Sequence, residues 1–242
     1  MQKTKTELCE LLVRYSDLVL IVPDNHANDL ALESALEIIS EVATGRKVVF
    51  LGDYLDRGRS SVNTIQLLIE AKARFETPVA VGAASRPTIE AIFLLGNHEK
   101  MLLDCYETGE INQHWPEEGN LAFREYEALG GISPAHLNFL KSLKPYHQTE
   151  HLIFVHGGID DDGRRPIENV PVDELVWTYH ISKTYRGLKI VHGHQMVDEP
   201  TEYANHICLD AGVARGEALC IGLVRDADVE RKLVGWLRVE EG

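Results

Sequence analysis

The sequence predicts an α/β fold in which two β-sheets pack face to face and helices flank the sandwich. Short apolar runs that suit buried strands alternate along the chain with amphipathic stretches that suit helices. The chain has 242 residues, and 44% of them are hydrophobic. A chain of this size can bury one large core. We therefore expect residues 1–242 to form a single domain.

The first half of the chain alternates strand and helix. Strands are predicted at residues 18–22, 47–51 and 92–95, with helices at residues 28–44 and 60–75. In the first helix Asn28 is the expected N-cap, and Gly45 lies just past its end. Strands separated by helices form parallel sheets with helices on their faces, so we expect a largely parallel first sheet.

The second half of the chain contains a helical region followed by strands. Residues 118–143 are predicted to be helical, with Ser133 as an N-cap before the helix-starting Pro134. Strands follow at residues 152–155 and 188–191. Further β-like runs lie around Ile207 and at residues 220–224 and 234–237. These later strands are expected to complete the two-sheet sandwich.

Charge and composition exclude some classes of function. The net charge is -14 with histidine neutral, and such an acidic surface repels nucleic acids and anionic membranes. It does not exclude phosphate substrates, because bound cations reverse the local field. The apolar run at residues 18–22 is too short to cross a bilayer. The four cysteines form no C-x-x-C pair. We expect a cytoplasmic protein with reduced thiols and with no nucleic-acid or membrane partner.

Side chains that can bind metal follow the predicted strands almost at once. In open α/β sheets, sites gather at the carboxyl ends of strands. Five separate strand ends deliver such a side chain: Asp24, Asp53, Asn97, His156 and His194. The sequence therefore predicts a metal site where these ends meet.

These side chains belong to five short motifs. They read PDNH at 23–26, GDYLDRG at 52–58, GNHE at 96–99, VHGG at 155–158 and VHGH at 191–194. Carboxylate, amide and imidazole ligands together suit Mn, Fe, Zn or Co better than Ca. Two neighbouring cations need a shared carboxylate, and Asp53 is the natural bridge.

Each motif taken alone has a plain structural interpretation as a turn, a helix cap or a buried imidazole. The five together favour a metal site. Some nearby residues keep the plain interpretation: His192 and Trp177 are expected to pack, and Glu99 to order the turn that carries His98.

At these motifs, from about Leu18 to the end of the chain, the sequence resembles the phosphoprotein phosphatase branch of the calcineurin-like metallophosphoesterases. That branch includes Ser/Thr protein phosphatases and symmetrical dinucleoside tetraphosphate hydrolases. The resemblance implies the four-layer metallophosphoesterase fold and two divalent metal ions, with Mn the first choice. It assigns Asp24, His26 and Asp53 to one metal and Asp53, Asn97, His156 and His194 to the other.

The same resemblance implies catalytic roles. A hydroxide that bridges the two metals would attack phosphorus in line, without a covalent enzyme intermediate. His98, supported by Asp56, would protonate the leaving oxygen, and Arg57 would clamp the phosphate. The stretch Leu209-Asp210-Ala211-Gly212 also resembles a segment of the family.

Several positions separate this chain from other members. Met196 stands where many other metallophosphoesterases have a second histidine, which favours the phosphoprotein phosphatase branch. Pro23 and Ala27 replace glycines of the family pattern. Tyr179 stands where a second phosphate-binding arginine is expected, and Arg186 or Arg215 could substitute for it. Residues 73–88 are interpreted as an insertion.

The predicted function is a phosphatase acting on phosphoserine or phosphothreonine in proteins, or on small phosphate esters. The alternative is a symmetrical dinucleoside tetraphosphate hydrolase, which uses the same chemistry on an anhydride. A third possibility is a binding module that has lost turnover. The presence of Asp56, Arg57 and His98 argues against that module, because a binder needs neither the acid nor the residue that orients it.

Overall fold

The computed structural model describes residues 1–81, 84–86, 88–111, 115, 121–230 and 232–239. Two β-sheets pack face to face with helices against them, which is the predicted four-layer fold. The helices are α1 Lys5–Arg14, α2 Asp29–Val42, α3 Ser61–Glu76, α4 Asn97–Thr108, α5 Leu121–Ala128, α6 Pro134–Lys141 and α7 Val172–Trp177. The strands are β1 Gln2–Lys3, β2 Leu18–Val22, β3 Lys47–Phe50, β4 Val79–Val81, β5 Ala84–Arg86, β6 Glu90–Phe93, β7 Tyr146–Gln148, β8 Leu152–Val155, β9 Lys189–His192, β10 Thr201–Glu202, β11 His206–Cys208, β12 Cys220–Arg225 and β13 Leu233–Arg238.

The first sheet has the strand order β1-β13-β12-β2-β3-β6. Strands β2, β3 and β6 run parallel, as the alternation of strand and helix predicts. Strand β12 joins them antiparallel beside β2. The carboxyl ends of β2, β3 and β6 therefore lie at one edge of this sheet.

The second sheet has the order β10-β11-β9-β8-β7. Strands β8, β9 and β11 are parallel, and β7 and β10 are antiparallel strands at its two edges. Strands β8 and β9 thus also end at one edge.

The core is divided by the first sheet. Successive side chains of a strand point to opposite faces, so a strand buried on both faces must be apolar throughout. Leu20 and Val22 of β2 pack against the helices. Val19 and Ile21 pack against the second sheet, where they meet Phe154. This two-sided burial explains the unbroken apolar run that predicted the strand.

Most predicted elements are confirmed. The strands at 18–22 and 152–155 have the predicted bounds, and Asn28 caps α2 by accepting a hydrogen bond from Ala31 N at 3.2 Å. The helix predicted at 118–143 is two helices, because Gly130 and Gly131 take φ values of +81° and +122° between α5 and α6. Residues 118–120 lie outside the described residues. Helices α1 and α4 were not predicted.

The segment interpreted as an insertion, residues 73–88, continues α3 to Glu76 and then forms the antiparallel ribbon of β4 and β5. Its residues 82, 83 and 87 lie outside the described part of the chain. Among the described helices, none has the length and apolar character needed to cross a membrane.

Candidate metal centre

The sheet edges bring the predicted site residues together. Asp24 follows β2, Asp53 follows β3, and Asn97 opens α4 shortly after β6; His156 and His194 follow β8 and β9. All five side chains are buried. Buried polar side chains at such density require partners, whether protein groups or ions.

Backbone hydrogen bonds join the loop after β2 to the loop after β3. His26 N donates to Asp53 O at 2.9 Å, and Ala27 N donates to Tyr54 O at 2.8 Å. The His26 ring adds a contact of 3.2 Å from Nδ1 to Leu55 O. A carbonyl can only accept, so Nδ1 carries the hydrogen and Nε2 keeps its lone pair. That lone pair is the form of imidazole that binds metal.

Asp53 lies at the centre of the cluster. Its Oδ1 is 3.2 Å from His156 Nε2, and its Oδ2 is 3.6 Å from His26 Nε2 and 3.9 Å from His98 Nε2. Two groups have ligand atoms within 4.8 Å of one another: His26, Asp53 and His98, and Asp53, His156 and His194. Asp53 belongs to both groups, which is the position that a bridging carboxylate requires.

The second group is also oriented by the backbone. His156 Nδ1 donates to Leu51 O at 3.0 Å, which leaves Nε2 free to face Asp53 and the Asn97 amide, 3.0 Å away. A carbonyl partner on the far nitrogen is the usual arrangement for a metal-binding histidine. Within the described residues, His194 Nε2 is buried and has no hydrogen-bond partner. A cation would satisfy that nitrogen, so these residues fit a metal.

Asp24 lies against the turn that carries His194. Its Oδ2 accepts a hydrogen bond from His194 N at 2.9 Å, while its Oδ1 is buried without a partner among the described residues. A Cβ on Gly193 would come within 1.8 Å of Asp24 Oδ1, so this approach requires glycine. Asp24 is in neither group of ligand atoms within 4.8 Å. Its predicted sharing of a metal with His26 stays a prediction.

The carboxylates of the cluster have opposite pKa shifts. Burial raises the pKa of Asp24 well above its ordinary value, and the nearby charge of Asp210 adds to the rise. Burial acts on Asp53 too, but the charges of His156 and His98 outweigh it and hold its pKa well below the ordinary range. Asp53 is therefore ionised in the folded chain, as a metal bridge must be.

The pKa values of the imidazoles are also shifted in opposite directions. Burial lowers the pKa of His26 and of His194 to about 3, so both are neutral and able to bind a cation. For His156, burial is outweighed by Asp53 and Asp24, which raise its pKa to about 10. Bound metal would replace that proton, because a ligand nitrogen must be deprotonated.

His98 and Asp56 form a buried pair beside the cluster. His98 Nδ1 is 2.7 Å from Asp56 Oδ2. Asp56 Oδ2 also accepts from Trp115 Nε1 at 2.7 Å, and Oδ1 accepts from Ala122 N at 2.8 Å. Asp53 and Asp56 outweigh burial and raise the pKa of His98. Its Nε2 is buried without a hydrogen-bond partner among the described residues and lies 3.9 Å from Asp53 Oδ2, so His98 can hold a proton on the side facing Asp53.

Glu99 ties the two central loops together. Its Oε2 accepts from Gly96 N at 3.0 Å and Asp53 N at 2.9 Å, and its Oε1 accepts from Tyr54 N at 2.8 Å and Leu55 N at 3.1 Å. Burial, followed by the charge of Asp53, raises the pKa of Glu99 to about 7. Glu99 thus orders more than the predicted turn, since it also fixes the backbone of Asp53.

The site loops contain strained backbone. Non-glycine residues rarely adopt positive φ, and each such residue costs of order 1–3 kcal/mol. Those with positive φ among the described residues are His26, Ala27, Asp53, Asp56, Arg57 and His194. All of them lie in the loops that build this centre.

The arginines predicted to bind phosphate lie in different settings. Arg57 is exposed, and its charge contributes to lowering the pKa of His26, which places it beside the centre. Arg186 Nη1 donates to Lys183 O at 3.0 Å and Tyr185 O at 2.9 Å, within its own loop. Arg215 is exposed at the end of a short 3-10 helix. Their roles toward phosphate stay predictions.

Sequence reasoning missed several contacts of the centre. The Tyr179 ring stacks on the His194 ring at 4.1 Å and 29°, and Trp177 meets the same ring edge-on at 6.3 Å. No local signal in the sequence marks Trp115 as part of the site, since it lies 59 residues from Asp56 along the chain. Asp210, noted only for its motif, is buried and acts on Asp24.

His192 packs as predicted. Its Nδ1 donates to Gly193 O at 2.9 Å, and its Nε2 is 2.8 Å from His206 Nδ1.

A sandwich of two sheets whose strand ends deliver Asp, Asn and His side chains to one buried cluster is the metallophosphoesterase fold, the fold of phosphoester hydrolases that bind divalent metals. Residues 18–223 match the family described as "Calcineurin-like phosphoesterase", and the chain belongs to that family.

Individual relatives are distant. The chain is 22% identical over 222 residues to serine/threonine-protein phosphatase 2 of Salmonella typhimurium strain LT2, covering 83% of this chain and 93% of the relative. It is 23% identical to the protein of the same name from Escherichia coli K12, covering 80% and 87%. A solved structure of a proposed diadenosine tetraphosphatase superposes with a TM-score of 0.62 at 18% identity, covering 93% of this chain and 95% of that one.

Proposed function

We propose that this protein is a dinuclear metal-dependent phosphatase that hydrolyses phosphomonoesters, either phosphoserine and phosphothreonine in proteins or small phosphate esters. The observation that carries the proposal is the position of Asp53, whose carboxylate oxygens lie 3.6 Å from His26 Nε2, 3.2 Å from His156 Nε2 and 3.9 Å from His98 Nε2. A shared carboxylate beside a buried proton donor is what hydrolysis of a phosphate ester needs.

We assign the first cation to Asp24, His26 and Asp53, and the second to Asp53, Asn97, His156 and His194. Two observations support this assignment. His26 and His194 are neutral imidazoles, and Asp24 Oδ1 and His194 Nε2 have no hydrogen-bond partner in the described part of the chain. Mn suits the mixed donor set, and Fe, Zn and Co suit it as well. When bound, the two cations would stabilise negative charge on the phosphoryl group and make water a nucleophile at neutral pH.

The side chains beside the ligands supply the remaining chemistry. His98 holds a proton at Nε2 and delivers it to the leaving oxygen, while Asp56 holds the opposite nitrogen at 2.7 Å. Arg57 presents a planar guanidinium that can pair with two phosphate oxygens. Burial of His98 and Asp56 keeps bulk water away from the proton being transferred.

The second candidate is a symmetrical dinucleoside tetraphosphate hydrolase. Tyr179 favours it, because its ring stacks on His194 and the residue is 51% exposed, so it could stack a nucleobase beside the metals. The likeness to a proposed diadenosine tetraphosphatase is consistent with the same fold.

A substrate panel tests the two candidates. Chelator-treated protein is assayed with Mn on a phosphoserine peptide, a phosphothreonine peptide, p-nitrophenyl phosphate and diadenosine tetraphosphate. We expect no turnover without metal and the highest kcat/KM on a monoester. Full activity in metal-free protein would contradict the two-metal proposal. Preference for diadenosine tetraphosphate would select the second candidate, and metal binding without turnover of any substrate would indicate a binding module.

The His98→Asn variant tests the acid. Metals should stay bound, because the adjacent Asn97 is the proposed ligand. General acid catalysis contributes roughly 10²–10⁴-fold, and it matters most for a poor leaving group. We therefore expect a large fall in kcat on the phosphoserine peptide and a smaller fall on p-nitrophenyl phosphate. Equal falls with both metals present would show that His98 is not the leaving-group acid.

A further inference from the structure

The carboxylate of Asp56 is fully buried and accepts three hydrogen bonds from different parts of the chain. His98 Nδ1 lies 2.7 Å from Oδ2, Trp115 Nε1 donates to the same oxygen at 2.7 Å, and Ala122 N donates to Oδ1 at 2.8 Å. The Trp115 side chain is also fully buried. Hydrogen bonds to an ionised acceptor in such a place are short and strong.

These donors fix the rotation of the carboxylate. Ala122 N donates to Oδ1. The plane of the Asp56 carboxylate is therefore set by the donors that meet Oδ2. The indole N–H comes from a rigid ring packed edge-on against Phe123 at 5.9 Å. It therefore holds Oδ2 at one place, and His98 Nδ1 must meet Oδ2 there.

Helix α5, which supplies Ala122 N, is anchored to the loop that bears Asp56 and to the start of α3. Glu125 of α5 accepts from Ser61 N at 2.6 Å and Val62 N at 3.2 Å, at the start of α3. Ser61 Oγ in turn accepts from Asp56 N at 3.0 Å. Both the backbone and the side chain of Asp56 are thus held by one connected set of contacts.

We infer that Trp115 is a positioning residue whose indole N–H orients Asp56 and, through Asp56, the imidazole of His98 that protonates the leaving group. The inference rests on the proposed function, in which His98 is that acid. Among the described residues, no hydrogen bond joins Trp115 to a candidate metal ligand or to His98, so we expect its effect on catalysis to pass through Asp56.

The test compares Trp115→Phe, His98→Asn and the double variant, all loaded with Mn and assayed on a phosphoserine peptide and on p-nitrophenyl phosphate. Phenylalanine keeps a buried aromatic ring and removes only the N–H and part of the volume. Trp236→Phe, in β13 of the first sheet, is the matched control and should leave both rates unchanged.

We expect Trp115→Phe to keep both metals and to lose about tenfold in kcat on the peptide, with a loss of less than about threefold on p-nitrophenyl phosphate. The double variant should be no slower than His98→Asn, since residues acting through one group are not additive. A merely structural tryptophan would slow both substrates alike and would slow the His98→Asn variant further.

Each other outcome has a distinct meaning. Equal losses for Trp115→Phe, or further loss in the double variant, would overturn the role of Trp115 while leaving the proposed function intact. Equal losses for His98→Asn would remove the acid itself, and the inference about Trp115 with it.

A second measurement tests the inference if the Trp115→Phe variant does not fold. The chain has three tryptophans, so the indole N–H signal of Trp115 can be assigned in NMR spectra by elimination with Trp177→Phe and Trp236→Phe. We expect that signal to lie downfield, to exchange slowly with water and to move in Asp56→Asn. A signal that exchanges freely or ignores Asp56→Asn would overturn the inference.

Discussion

Replacing Glu99 by glutamine changes one oxygen of a carboxylate that accepts four backbone N–H groups. Each oxygen accepts two of them: Gly96 and Asp53 on one side, Tyr54 and Leu55 on the other. Whichever way the amide turns, its NH₂ group faces two donors. Glu99→Gln therefore removes two hydrogen bonds and leaves two buried N–H groups unsatisfied.

The free-energy cost can be worked from these contacts. Hydrogen bonds to a charged acceptor contribute about 1.5–3 kcal/mol each, so the two lost bonds amount to about 3–6 kcal/mol. Against this, burial raises the pKa of Glu99 from 4.5 to about 7. Neutral glutamine avoids the cost of burying an ionised group, which offsets part of the loss. The fold should therefore lose less than the sum of the two bonds.

The effect on metal binding should be larger than the effect on the fold. Asp53 has a φ of +51°, and Glu99 holds its N–H in that strained conformation. Changing a residue that orients a metal ligand typically costs about 10–100-fold in metal affinity or activity. We expect Mn to bind Glu99→Gln with affinity lower by that factor. The assay is titration of Mn into chelated protein, alongside thermal unfolding.

Glu202→Gln is the matched control. Glu202 also accepts backbone N–H groups, from Lys232 at 3.0 Å and Leu233 at 2.9 Å, but on strand β10 at the edge of the second sheet. It should destabilise the fold without changing Mn affinity. If Glu99→Gln is as destabilised as Glu202→Gln and yet binds both metals with unchanged affinity, then Glu99 does not position Asp53.

Three further predictions concern ligands, phosphate and pH. Asp53→Asn should lose two-metal binding and nearly all turnover, because it weakens the bridge to both cations; metal analysis showing two ions and normal kcat would show Asp53 to be misassigned. Arg57→Ala should keep its metals and lose about 10–100-fold in kcat/KM, from charge-assisted bonds of about 1.5–3 kcal/mol; a double variant with Arg215→Ala that is no worse would exclude Arg215 as a phosphate ligand. The melting temperature of metal-free protein should fall as pH drops from 6.5 to 4.5. Over this range several imidazoles bind protons in the unfolded chain but stay neutral in the folded chain, where their pKa values are lowered. A melting temperature that is flat or rises would contradict this prediction. The imidazoles concerned are His26, His136, His147, His192, His194 and His206. They outnumber the groups with raised pKa, which act in the opposite direction over this window: Asp24, Glu99, Asp210, His98 and His156.

The strands could be predicted because a strand that is buried on both faces has a continuous apolar sequence. A strand packed on both faces needs apolar side chains at every position, and the runs at 18–22 and 152–155 show that pattern. The candidate ligands could be predicted from the same strands, because each ligand follows a strand closely and parallel strands end at one edge of a sheet. Helix α4 was missed because its first residues carry the GNHE motif, whose polar side chains face the site and hide the apolar pattern.

The supporting contacts of the site could not be predicted in the same way. Trp115 and Ala122 meet Asp56 across 59 and 66 residues, and the Tyr179 ring meets His194 only after α7 ends. Such contacts depend on how loops pack once the sheets have formed. No periodic pattern in the sequence indicates these contacts, whereas a few neighbouring residues are enough to indicate a strand or a capped helix.

The positive φ values of the site loops limit how this centre could be moved to another protein. Peptides with the sequence of residues 23–28 or 52–58 would not hold His26, Asp53 or Asp56 in the left-handed region, because nothing local favours it. The conformation exists only where both ends of each loop are fixed by strands and the loops bind each other. Transplanting the motifs alone should therefore yield side chains of the right kind without a metal centre. A designed scaffold would need to reproduce the sheet edges that stabilise this conformation, because glycine at these positions would remove the functional side chains.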